Sequence, residues 1–181
     1  MAKKFVLVLV FATIVAGVGF AADWSSTATW GGKKNFVSGT VNILGAGATY
    51  ERFLAPKWSI GADAYLSWFF LWTDIEVGAF GRYYIWNGLF TEVGLGFHVQ
   101  SYGLFGVISD NLIGGAITPG VGFKFDPGKP GRFFVETGIK IPITLGVRRR
   151  SVEDWWGFTS SQSRFGAGVG VVAYAGLGYA F

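Results

Sequence analysis

Between Gly168 and Phe181 the chain alternates strictly. Val169, Val171, Ala173, Ala175, Leu177, Tyr179 and Phe181 occupy every second position, and mostly small residues stand between them: Gly168, Gly170, Val172, Tyr174, Gly176, Gly178 and Ala180. Successive side chains of a β-strand point to opposite faces, so this segment reads as a two-faced strand running to the final residue. A period of two over so many residues argues against a helix there.

The same alternation recurs through the chain. Trp58, Ile60, Ala62, Ala64, Leu66, Trp68, Phe70 and Trp72 form one face against Ser59, Gly61, Asp63, Tyr65 and Ser67. Ile75, Val77, Ala79, Tyr83 and Ile85 oppose Asp74, Glu76, Phe80, Arg82 and Tyr84, and Val93, Leu95, Phe97 and Val99 oppose Glu92, His98 and Gln100. Ile117, Val121, Phe123 and Phe125 oppose Thr118 and Lys124, and Phe133, Val135, Ile139 and Ile141 oppose Glu136 and Lys140. Short turns are expected near Leu54–Lys57, Trp86–Gly88 and Asp126–Gly131. Other connections fall near Gly31–Phe36, Trp72–Thr73, Gly106–Asn111 and Gly146–Ser163. With first strands near Ala22–Trp30 and Thr40–Arg52, the count is eight. An even count places both termini of the chain on one side of the barrel. The charges of the middle strands lie on the face opposite the large apolar residues. A soluble barrel would show the inverse, whereas a charge on the lipid face of a membrane barrel costs roughly 2–4 kcal/mol at the midplane.

The N-terminus adds an independent signal. Lys3 and Lys4 precede the apolar stretch Phe5–Val18, and Gly19-Phe20-Ala21 ends in small residues. Residues 1–21 therefore read as a cleaved secretory signal, the alternative being an uncleaved anchor, and residues 22–181 as one domain. Lys3 and Lys4 supply half of the formal charge of +4, so the basic balance is no argument for nucleic acid as a partner. The chain has no cysteine, which excludes disulfides, a thiol nucleophile and a thiolate-bound metal. Its single histidine cannot supply a zinc site. No cofactor is expected.

The alternation, the dispersed hydrophobicity and the terminal aromatic together resemble the small eight-stranded bacterial outer-membrane barrels of the OmpX, OmpW and OmpA membrane-domain type. The resemblance implies an all-β fold, an eight-stranded antiparallel up-and-down transmembrane β-barrel preceded by a signal peptide. It implies a location in the cell outer membrane with both mature termini periplasmic. It also implies that Phe181, Tyr179 and Leu177 act as a signal to the barrel-assembly machinery, and that membrane lipid and glycolipid are partners. No subfamily signature assigns a role to any residue.

The inward charges suggest a network. In an antiparallel hairpin directly opposed residues have numbers of constant sum. A turn at Asn87 opposes Arg82 with Glu92 and Glu76 with His98. A turn between Trp72 and Thr73 opposes Asp63 with Arg82, and a loop at Ile108 opposes Glu92 with Lys124. The expected chain is Asp63–Arg82–Glu92–Lys124, either a gate or a set of ion pairs filling the lumen, whose width in an eight-stranded barrel suits side chains. His98 with Glu76 could serve a lipid-modifying hydrolase, but Ser101 is three residues away and points to the other face. Gly166, Gly168 and Gly170 precede no helix, so they form no nucleotide loop, and they are expected to make room for Tyr174, Tyr102 or Phe80. Arg148, Arg149 and Arg150 open the expected longest loop, with Trp155 and Trp156, where they could contact glycolipid phosphates or a partner. The function expected is a non-enzymatic outer-membrane barrel, structural or surface-interacting, with a closed or narrow polar lumen. The rivals are a minor pore and a lipid-modifying hydrolase.

Overall fold

A computed structural model of the chain describes residues 32–42, 45–69, 72–86, 88–104, 108–126, 132–153 and 159–181. The expected signal segment and the expected first strand at 22–30 lie outside them, as do Phe70, Phe105, Trp155 and Trp156. The described elements are ten strand segments: β1 (Asn35–Asn42), β2 (Gly45–Ala55), β3 (Trp58–Phe69), β4 (Trp72–Trp86), β5 (Leu89–Leu104), β6 (Ile108–Phe125), β7 (Phe133–Lys140), β8 (Ile143–Glu153), β9 (Thr159–Val169) and β10 (Val172–Ala180).

Two pairs of segments are halves of single barrel strands. β7 and β8 pair with β6 in one continuous register, as do β10 and β9 with β7 and β8. The break falls at Ile141-Pro142, because proline has no N–H to give to the ladder. The backbone is still satisfied there: Ile141 N–H donates to Pro119 O and Gly170 N–H to Pro142 O, each at 2.9 Å. Eight antiparallel strands result, each beside its sequence neighbours, and β10 closes the wall against β1 from Phe36↔Ala180 to Asn42↔Tyr174.

The strands tilt. Stepping between paired residues once round the wall, from Tyr174 through Asn42, Gly45, Ser67, Asp74, Gln100, Leu112 and Arg148, arrives at Arg164. That is ten residues along the last strand from the start (174 against 164), the stagger that closing a sheet requires. On the far side of β9, above Asn42, no strand pairs with it among the described residues. The tight turns at Pro56-Lys57 and Gly88 lie at the end holding Asn35 and Phe181, here the lower end. Gly88 has φ 90°, a conformation that a side chain disfavours.

The first hairpin differs from expectation. Its turn falls between Asn42 and Gly45, inside the segment Thr40–Arg52 expected as one strand. No proline, Asn-Gly or Asp-Gly pair marks that turn. The segment Gly146–Ser163 is not a loop either, since all of it except 154–158 is ladder. Arg148–Arg150 therefore sit on a strand.

The barrel is apolar outside and charged inside. Leu95 is 64% exposed and Leu177 72%, whereas Arg82 and Glu136 are fully buried in the lumen. Phe53 and Phe90 also lie inside. They share parity with Glu51 and Glu92. Trp58, Phe133, Tyr179 and Phe181 stand on the outside of that end, where the Trp58 ring lies tilted 4.8 Å from Tyr83 and Phe133 meets Tyr179 edge-on at 5.5 Å.

Candidate functional site

The lumen is filled in layers. At the lower end Phe36, Phe53, Tyr84, Phe90 and Phe134 form a ring cluster, with centroids 4.9–5.6 Å apart between touching neighbours. Glycines opposite these rings make the fit possible. A side chain at Gly122 would collide with Phe90, and one at Gly178 with Phe134.

Above the rings lies the ion layer. Arg82 of β4 is its centre. Its Nε donates to Glu92 at 2.5 Å, its Nη1 to Glu51 at 2.9 Å, and its fork grips both oxygens of Glu136 at 2.9 and 3.1 Å. Phe80 and Phe90 hold the guanidinium at 4.4 and 4.3 Å from their centroids, positions that cation–π attraction favours. Lys124 pairs with Glu51 and, at 3.2 Å, with Glu136. Lys140 pairs with Asp63 and lies 2.7 Å from Glu92 Oε1, a charge contact rather than an aligned hydrogen bond. Tyr84 and Ser59 donate to Glu51. Three cations thus face four carboxylates drawn from β2 to β7. Buried charges survive only when paired and hydrogen-bonded in this way.

Of the expected network, the register joins Arg82 with Glu92 and Glu76 with His98. Arg82 stands opposite Ser59, not Asp63, and Glu92 opposite Gly120, not Lys124. The β3–β4 register pairs Phe69 with Trp72, two residues earlier than a turn at 72–73 requires, and the β5–β6 register is likewise centred two residues earlier than expected. Each shift of two residues moves the opposed partner by four. Asp63 and Lys124 still enter the layer, through Lys140 and through Glu51 and Glu136. Those three residues carry no role in the expected chain. Glu136 and Lys140 have the right parity, but their contacts cross the lumen, which hairpin arithmetic does not reach. Glu51 falls in the hairpin whose turn was misplaced.

His98 lies higher up. Its Nε2 contacts Asp74 and its Nδ1 the hydroxyl of Thr144. A hydroxyl, a threonine's, therefore does reach the histidine, while Ser101 bonds Asn111 on another face. Glu76, the register partner of His98, takes its hydrogen bond from Thr118 at 2.7 Å. Thr144 is 1% exposed, and the relay ties β4, β5 and β8 together within the lumen. Asp74, Glu76, Lys140, Tyr65, Ser67, Asn42 and Val172 line a small cavity above the ion layer. Among the described residues no group of acids and histidine could hold a metal ion.

The outer surface changes character along one register line. Val99, Ile113, Val147 and Phe165 are paired neighbours facing out, and the next outward line is Ser101, Asn111, Arg149 and Ser163. At that level inside the mouth, Arg148 grips both oxygens of Asp110 at 2.6–3.1 Å. Its hydrogen bonds hold the Asp110 carboxyl below the usual carboxylate range, with its charge and those of Arg150 and Arg164 adding to the effect. The glycines at 166, 168 and 170 meet Arg148, Leu112 and Pro142 and not the expected rings, while Tyr174 lies over Gly138 and Phe80 over Gly61.

No known protein family, no curated protein and no solved structure matches the chain. The fold and the placement of its charges are what bear on function.

Proposed function

We propose that the chain is an integral outer-membrane β-barrel protein, non-enzymatic, whose lumen is closed by side chains and whose role is structural or surface-interacting. One observation carries this reading: the charges are inside and the large apolar side chains are outside. In water that arrangement exposes far more apolar surface than a soluble protein presents in one patch. In a bilayer it is the stable one. The apolar band ends on the line of Ser101, Asn111, Arg149 and Ser163, where head groups would begin. On this reading residues 1–21 are removed on export, both mature termini are periplasmic, and the strand ending at Phe181 engages the assembly machinery. Arg149, on the outer face, meets glycolipid phosphates.

Leu95→Arg tests the membrane reading. Leu95 is 64% exposed on the outer face of β5, within the apolar band. In a bilayer the variant should lose about 2–4 kcal/mol of folding stability, measured by denaturant titration in lipid vesicles. A change within about 0.5 kcal/mol, as at an ordinary water-facing site, would sink the reading.

The Asp74–His98–Thr144 relay favours one second reading, a hydrolase with a threonine nucleophile. Ester hydrolysis by the refolded protein that is lost in Thr144→Val would establish it, and absence of any such turnover would remove it.

A further inference from the structure

The mouth of the barrel carries a second charged group that lumen closure does not use. Arg148 and Arg150 stand two apart on β8, on the face of buried Thr144, so both point into the mouth. Arg164 of β9 is the direct cross-strand partner of Arg148. Like charges directly opposed on a ladder repel. Asp110 is the register partner of Arg150, yet both its oxygens are held by Arg148. Among the described residues neither Arg150 nor Arg164 has a carboxylate at ion-pairing distance. Gly166 and Gly168 leave the wall beside Arg164 without side chains.

We propose that Arg150 and Arg164 form a seat for an oxyanion group of the phosphate type at the outer mouth of the lumen, beside Arg148, whose own fork stays on Asp110. Guanidinium forks match the oxygens of such a group and place two donors on it at once. Arg149 belongs to the opposite face and takes no part. Phosphate groups reach the mouth from two sources: a soluble phosphorylated compound, or a glycolipid head folded over the rim.

The test uses the full mature chain refolded in non-ionic detergent, with no lipid present, titrated with inorganic pyrophosphate by calorimetry. Wild type and Arg149→Gln should bind alike. The double variant Arg150→Gln, Arg164→Gln should bind about tenfold or more weakly, since each charged hydrogen bond lost is a large part of such an affinity. The heat-dependent shift in gel mobility reports that each variant is folded. Absence of saturable binding by wild type, or equal binding by the folded double variant, overturns the seat. An equal loss in Arg149→Gln overturns its placement inside the mouth. Adding purified anionic glycolipid then names the source: displacement of pyrophosphate assigns the seat to the lipid head, and retention assigns it to a soluble ligand. The detergent arm contains no bilayer, so its outcome is separate from that of the Leu95→Arg experiment.

Discussion

Arg82 satisfies three carboxylates at once, more than either neighbouring lysine does. Glu51 and Glu136 share Lys124 as a second cation, and Glu92 has Lys140 only as a charge contact. Removing one partner of a buried ion pair leaves the others uncompensated, which costs about 3–5 kcal/mol. Arg82→Ala should lose stability of that order in denaturant titration, and Arg82→Lys should recover only part of it, because an ammonium cannot grip both oxygens of Glu136. Full stability in Arg82→Ala would mean that the layer is solvated rather than dry. At this scale parity was legible from sequence: Asp63, Arg82, Glu92, Lys124 and His98 all point inward, as alternation requires. Their partners were not legible. Lys140 meets Asp63 across the lumen, and that meeting depends on the stagger of the whole wall.

The elements show where alternation stops being informative. Pro56 and Gly88 mark the sharp breaks before β3 and β5, whereas the β3–β4 and β5–β6 connections lie two residues earlier than expected. The β1–β2 turn has no such mark, and the apolar residues around it continue the pattern across the break. The last strand behaves otherwise. Its alternation runs to Phe181, and the structure pairs that end with β1: Phe181 N–H donates to Asn35 O at 2.9 Å and Asn35 N–H to Phe181 O at 3.1 Å. The Phe181 ring is 55% exposed, 6.4 Å from Tyr179, so it contributes little to packing. Phe181→Ser should therefore refold in detergent with nearly wild-type stability, since outward substitutions near the end of a membrane barrel cost only about 0–1 kcal/mol. In cells its outer-membrane level should fall, because the assembly machinery on the proposed reading recognises that aromatic end. Wild-type levels in membrane fractions would remove the residue from the signal.

At the scale of the molecule the lumen is a blind vestibule. Its upper part holds a small cavity beneath a cationic mouth, its middle a buried ion layer, and its lower end a cluster of five rings. The two lower layers block in series, so thermal opening of either alone does not connect the two ends. The ion layer opens only by separating several charge pairs together, and the rings only by displacing side chains packed against glycines. Eight strands leave no spare width for a path around them. The wild-type protein in planar bilayers should accordingly pass no steady ionic current. Arg82→Ala should remain silent as well, because the rings beneath it are intact, while adding Phe90→Ala to that variant should produce current. Steady conductance from the wild type would show that both layers move in a bilayer and would favour a conduit for small molecules. Current from Arg82→Ala alone would show that the ion layer is the single barrier and the rings only its floor.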